Sequence, residues 1–281
     1  MVQNVFSLYK IAGEEDVKFP FSIKDYQRYA FGDDRLAHTF GTDLAKAFVV
    51  NSPGAGGAQD TKTTRLDEPT NDVTVAVLSG RLPTATHNLR GHFAASLSRH
   101  LVSNNRPAAR KIDLIRAEDG YAKRSEPRSN RSDTYHIDTT ILGQATLVVL
   151  GDIRMCDSQE EAISSSLRSQ NIDNPIVFGY LACAASTNTS ALSSTLSTIV
   201  SPSIKDIDNL AHSRYFSMTE ACARFILGQG YNEFCRFLRG QDDFFARKLL
   251  DFAIGGKYHE DELYKQNYKF LQWEIDARES I

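Results

Sequence analysis

The ten residues Gly151-Asp152-Ile153-Arg154-Met155-Cys156-Asp157-Ser158-Gln159-Glu160 follow the apolar run ATLVVL (145–150) and lead into helical periodicity at 159–170. A carboxylate just past an apolar strand, followed by a polar turn that opens a helix, is an arrangement able to hold a sugar phosphate. Asp152 would accept hydrogen bonds from sugar hydroxyls or orient a metal-bound substrate. Residues Cys156 to Gln159 would offer backbone N–H groups at the positive end of a helix dipole, which favours an anion such as phosphate. The alternative is that Asp152 and Ser158 only cap the turn and the helix. Cys156 sits where a helix N-terminus lowers a thiol pKa, but no partner base can be identified for a nucleophilic role.

The elements that must position these residues follow from patterning. Short apolar, β-branched runs, VTVAVLS (73–79), KIDLI (111–115), ATLVVL (145–150) and PIVFGYLAC (175–183), alternate with helical periodicity at 85–102 and 159–170. Continuous apolar runs fit central strands of a parallel sheet covered on both faces, though periodicity alone leaves buried helix open. Strand and helix in alternation predict an α/β layer sandwich. In such a sheet ligands collect at the carboxyl ends of the strands, where 151–160 falls. Two segments break the pattern. Residues 51–72 are poor in large apolar side chains, and their glycines lack the Lys-Ser/Thr of a P-loop. Residues 117–136 carry Lys123, Arg124, Arg128 and Arg131 with little to bury, and read as a mobile basic loop.

From about residue 204 the strand signals stop and helical spacing takes over, with Ser217 three residues before Glu220 as a capping-box pattern. The division expected is therefore an α/β core at 1–203 and a helical region at 204–281 packed on it. The aromatic stripes of that region read as core or docking surface, able to pair chains as a homodimer.

Composition narrows the classes. A net charge of -3 over 281 residues gives no field that would gather nucleic acid or coat an anionic membrane. No run of apolar residues is long enough to span a bilayer, and the N-terminus has no leader pattern, so a cytoplasmic protein is expected. Cys156, Cys183, Cys222 and Cys235 lie too far apart for a zinc knuckle or redox motif and read as reduced thiols. His87 and His92, five apart, have the wrong spacing for an i, i+4 zinc pair; with His136 they read as structural or solvent-facing.

The strand-turn-helix segment resembles the signature of type I phosphoribosyltransferases, most closely their ComF-like branch, where the pattern runs approximately Asp-Asp-Ile-Arg-Ile-Thr-Gly-Ser-His-Glu. The likeness extends to FSIKDYQRYAFGDDRLAHTFGTDLAKAF (21–48), to VTVAVLSGRLPTATHNLRGHFAASL (73–97), and to FCRFL and YKQNYKFL near the C-terminus, covering nearly the whole chain. The resemblance implies a Rossmann-like phosphoribosyltransferase core, a mainly parallel sheet flanked by helices, with a helical C-terminal region. It implies transfer of a 5-phosphoribosyl group from phosphoribosyl diphosphate to a nucleophilic acceptor, with Mg2+ bound to the diphosphate. The ribose and 5-phosphate would lie on Asp152, Arg154, Cys156, Asp157, Ser158, Gln159 and Glu160. The diphosphate would leave past Ser79, Gly80 and Arg81, with Asp152 and Arg81 the catalytic pair and Arg81 neutralising charge on the departing group. Lys123, Arg124 or Arg128 would reach the diphosphate from a closing loop that excludes water. Tyr26 and Arg28 would line the acceptor side or the site more generally, although an entry helix packed on the sheet explains the Tyr equally well.

Two departures have physical weight. Gly151 replaces the first acidic residue, and Asp157 stands where the branch has glycine. A carboxylate about 4 Å from a phosphate costs roughly 4 kcal/mol per unit charge at an effective dielectric near 20, so Asp157 must point away or ordinary phosphate binding is lost. Three functions follow from this state of the motif. One is a phosphoribosyltransferase in specialised biosynthesis or a stress-associated pathway. Another is a non-catalytic descendant binding a nucleotide or sugar phosphate. The third is a nucleosidase or phosphohydrolase using the same pocket. Nucleobases, amines and phenols fit equally as acceptors.

Overall fold

The computed structural model describes residues 4–12, 19–51, 72–117, 134–184, 196 and 202–280. These fall into two compact units: one drawn from Met1–Pro20, His38–Gly80 and Thr86–Thr195, the other from Phe21–Ala37, Arg81–Ala85 and Leu196–Ile281.

The first unit is built on a six-stranded sheet. Its strands are β1 (Asn4–Ile11), β2 (Val73–Ser79), β3 (Arg110–Arg116), β4 (Tyr135–His136), β5 (Thr146–Arg154) and β6 (Ile176–Ala184), in the order β1-β6-β5-β2-β3-β4. All neighbours are parallel except the short β4, which runs antiparallel to β3. The first five residues of both β2 and β5 are buried, as expected of central strands covered on two faces. β3 instead alternates, burying Ile112 and Leu114 while Lys111 and Asp113 are exposed.

On one face, Ala76, Leu147, Val149, Phe178 and Tyr180 meet Ile163 and Leu167, one turn apart on helix α5 (Ser158–Ser169), together with Leu142 of the short helix α4 (Thr139–Leu142). Glu160 and Glu161 in the first turn of α5, and Arg168 in the last, complement its dipole. Helices α2 (Asp34–Asn51) and α3 (Ala85–Ser103) approach closely where Gly41 meets α3. A Cβ there would stand 2.8 Å from the Leu89 carbonyl and 3.0 Å from the Cβ of His92.

The second unit is helical. It contains α1 (Ile23–Ala30), α6 (Ile204–Ala211), α7 (Glu220–Leu227), α8 (Tyr231–Arg239), α9 (Asp243–Gly255) and α10 (Lys265–Glu279). Its core gathers Phe31, Leu82, Met218, Ile226, Phe234, Leu238, Leu249 and Leu271. Gly32 is required by a positive φ of 107° and by the carbonyl of Ser217, which occupies the space a Cβ would need. The next residue, the buried Asp33, accepts from the amides of Arg35 and Leu36 and pairs with Arg28 at 2.6 Å, so it caps the start of α2.

Three expectations differ from the structure. β1 has no counterpart among the strands expected from patterning and lies at the sheet edge. β5 does not stop at Leu150 but continues to Arg154, which puts Gly151 and Asp152 inside the strand. The helix expected to be capped by Ser217 is capped by Thr219, whose hydroxyl accepts from the Cys222 amide. A full capping box does occur, at Ser203 and Asp206 on α6. The loops read at 51–72 and 117–136 lie almost wholly outside the described residues.

Candidate functional site

β2 and β5 are neighbours, yet the chain leaves them in opposite directions: from β2 through α3 to β3 on one side, from β5 through α5 to β6 on the other. Such a divergence opens a crevice at the carboxyl ends of the two strands, the usual seat of ligands in open α/β sheets. Their pairing ends at Val77↔Leu150. Ser79 and Asp152 each lie two residues beyond that pair. The pleat turns both to the face opposite Ala76, Leu147 and Val149.

At the end of β2, the Ser79 hydroxyl is 2.8 Å from His87 Nε2 on the first turn of α3. The same nitrogen stands 4.0 Å from Asp113 Oδ1 on β3. Arg90, one turn further along α3, donates to that carboxylate and to the Ile112 carbonyl. Burial pushes the Asp113 carboxyl up, but hydrogen bonds from Arg90 and Ser79 and the charges of Arg90 and His87 hold it below its ordinary value. Gly80 follows; among the described residues nothing lies within 4 Å of the place where a Cβ would be, and its backbone is not left-handed.

At the end of β5, Gly151 pairs with Tyr180, whose ring lies against the missing side chain. Asp152 is half-buried. Arg154 then binds Glu160 through two parallel bonds, Nε to Oε1 at 2.6 Å and an Nη to Oε2 at 2.7 Å, although the Glu160 side chain has no exposed surface. Tyr180 also hydrogen-bonds Glu160. Burial and then this carboxylate push the tyrosine pKa up, and the same carboxylate raises that of Arg154. Strand end and helix start are thereby clamped together across the turn.

The turn itself is open: Cys156, Asp157, Ser158 and Gln159 are all exposed. Asp157 occupies the N-cap position of α5 with helical backbone (φ -90°, ψ -9°), and its carboxylate makes no capping bond. Cys156 Sγ and Ser158 Oγ are 3.0 Å apart. The first amides of α5 are therefore not taken by the extra carboxylate. A groove of about 470 Å³ runs along α5, lined by Arg154, Asp157, Glu161, Ser164 and Arg168, with Val5 of β1. It shares Arg154 and Asp157 with the turn and does not include Ser79, Gly80 or Asp152.

The structure thus brings Ser79 and Gly80 to the strand end adjacent to that of Asp152, with Arg154 and Cys156 to Glu160 following. Arg81, Tyr26 and Arg28 belong to the helical unit. There Tyr26 is buried between Phe21 and Tyr29, and Arg28 is engaged by Asp33. Lys123, Arg124 and Arg128 lie outside the described residues. His87 bonds Ser79 at the end of β2, and the sheet order brings Asp113 of β3 beside it.

No curated protein matches the chain. Among solved structures it is similar to an asparagine mutant from an analysis of an invariant aspartic acid in HPRTs, with 13% identity, 54% of this chain and 77% of that one covered, and a TM-score of 0.32. It is also similar to a lysine-to-arginine mutant of hypoxanthine phosphoribosyltransferase from Trypanosoma cruzi complexed with the product IMP, with 13% identity, 54% and 75% covered, and a TM-score of 0.30. The family model described as PRTase ComF-like matches residues 2–271, and the chain belongs to that family of phosphoribosyltransferases.

Proposed function

We propose that this protein transfers a 5-phosphoribosyl group from phosphoribosyl diphosphate to a small nucleophilic acceptor. The observation that carries the reading is the adjacency of two strand ends with complementary chemistry. Asp152 and the uncapped start of α5 lie on β5 and just beyond it, and the open main chain at Gly80 lies just past β2.

In this reading the amides of Ser158, Gln159 and Glu160 hold the 5-phosphate at the positive end of α5, and Asp152 accepts from the ribose hydroxyls. The diphosphate lies against Ser79 and Gly80. The acceptor attacks the anomeric carbon as the bond to diphosphate breaks and its electron pair leaves with the diphosphate oxygen. Mg2+ would come to the site with the diphosphate, beside Ser79 and Gly80. When bound, the ion would offset charge on the diphosphate.

One observation favours a second reading, a binding protein without transfer: the Tyr180 ring fills the place of the first acidic side chain and leaves Asp152 as the carboxylate of that pair. Titration with phosphoribosyl diphosphate, with and without Mg2+, followed by an assay for diphosphate release against nucleobases, amines and phenols, separates the two. Donor binding with release only when an acceptor is added supports transfer. Binding without release by any acceptor supports the second reading, release without an acceptor supports hydrolysis, and no binding at millimolar donor sinks all three. Asp152→Asn is expected to weaken or abolish transfer while leaving the fold intact.

A further inference from the structure

We propose that His87 is a cationic contact for the diphosphate end of the donor, held on Ser79 while the site is empty and released to the anion when it arrives. This rests on the reading of Ser79 and Gly80 as the diphosphate turn. The imidazole is largely enclosed, 15% exposed, and its Nε2 edge is the one turned toward the strand ends, 2.8 Å from Ser79 and 4.0 Å from Asp113. The Ser79 hydroxyl donates to Asp113, which leaves its oxygen to accept from Nε2–H of His87.

Three elements present groups to the Nε2 edge of the ring. Ser79 on β2 is neutral, Asp113 on β3 is an anion, and Arg90 on α3 is a cation already bound to Asp113. His87 lies in the first turn of a 19-residue helix, whose positive end opposes a charge on the ring. Asp113 favours that charge and is itself bound by Arg90. A diphosphate against Ser79 and Gly80 would favour it further, because each added negative charge within a few ångströms favours the imidazolium. Binding then takes up a proton on His87 and turns Nε2–H from Ser79 to a phosphate oxygen. No covalent bond is made or broken in this step.

The test uses inorganic diphosphate with Mg2+ as probe, measured calorimetrically on the full chain for the wild type, His87→Gln, His87→Lys and Ser79→Ala. Comparing proteins at the same pH cancels the titration of diphosphate itself. Wild type is expected to bind about tenfold more tightly than His87→Gln near pH 6, the gap closing to about twofold near pH 8 as the imidazole loses its charge. His87→Lys should retain affinity at both. Unchanged thermal midpoints establish that each variant is folded. Equal affinity of wild type and His87→Gln at both pH values overturns the proposal, with the diphosphate turn left standing if Ser79→Ala still weakens binding. A loss in His87→Gln that is the same at both pH values and is not rescued by lysine marks a structural role and also overturns it. No heat from the wild type removes the diphosphate turn and the proposal with it.

Discussion

The ring of Tyr180 stands 2.6 Å from the point where a Cβ on Gly151 would lie, so a side chain at 151 and this ring cannot share the space. The place of the first carboxylate of the family pattern is taken by this ring from the neighbouring strand. Gly151→Ala and Gly151→Asp are both expected to destabilise the protein, by about 1–3 kcal/mol for the alanine as for other overpacked cores. Combining Gly151→Ala with a smaller residue at 180 should return part of the loss, and denaturant midpoints for the four proteins of that cycle read it out. Additive losses would show that the ring yields without cost.

The Arg154–Glu160 pair should matter more to stability than an exposed ion pair. Glu160 is fully enclosed while Arg154 is about a quarter exposed, so Glu160→Ala is expected to cost about 3 kcal/mol, the lower end for breaking a buried pair. Tyr180→Phe removes one bond to the same carboxylate and should cost about 1 kcal/mol. Urea unfolding of each variant checks both, and a change below about 0.5 kcal/mol for Glu160→Ala would deny the clamp its role.

Asp157 is exposed and makes no cap, so its charge acts on a phosphate at the start of α5 through water. About 1 kcal/mol of repulsion at 4 Å in water corresponds to roughly a fivefold change in affinity. Asp157→Asn is therefore expected to bind phosphoribosyl diphosphate about fivefold more tightly at low salt, with the gain shrinking as salt is added. Weaker binding in the variant would mean that the phosphate sits elsewhere.

Acid should expose the capping box of α6. The Ser203 hydroxyl and then the Ser203 amide, both donating to the Asp206 carboxylate, hold it below its ordinary value of 3.8. A group depressed in the folded state contributes stability above the unfolded pKa and loses it as pH falls through the folded value. Asp206→Asn should thus be less stable than wild type near neutrality, with the two curves converging at pH values below 3.8. Ser203→Ala should cost about 1 kcal/mol near neutral pH. Thermal midpoints across an acid series would show parallel curves if the box were energetically silent.

The thiols should separate by exposure. Cys156 is exposed, whereas Cys222 is fully buried with burial pushing its pKa up, and Cys183 is half-buried and raised for the same reason. A thiol reagent under native conditions should modify Cys156 first and Cys222 only on unfolding, as mass mapping of the labelled peptides would show. Early labelling of Cys222 would contradict its burial.

The strands legible in the sequence are those buried on both faces, because a run such as VTVAVLS needs no partner to be recognised. NVFSLYKI is not legible in that way, since an edge strand mixes half-buried and exposed positions and leaves no continuous apolar run. Glycine after an apolar run reads as a turn, whereas Gly151 makes room for an aromatic ring in the neighbouring strand, and β5 continues for three more residues. The Ser203–Asp206 box and the Thr219 cap are as visible as the Ser217–Glu220 pattern, and only the carbonyl of Ser217 against Gly32 shows why Ser217 is otherwise engaged. His87 cannot be placed from spacing, because its partners on β2 and β3 are brought to it by the sheet order. The local chemistry of 151–160 is legible as an anion-friendly turn; the internal pairing of Arg154 with Glu160 is not, since both look like solvent-facing charges.

The helical unit is assembled from three stretches of chain, with Phe31 and Leu82 supplied to its interior by segments that lie far upstream of the rest. No single cleavage can release it whole. A fragment beginning at residue 204 would be missing two of its own hydrophobic plugs, and would leave behind two orphaned apolar stubs on the remainder. Protease nicking between the helices should therefore yield pieces that stay associated until denatured.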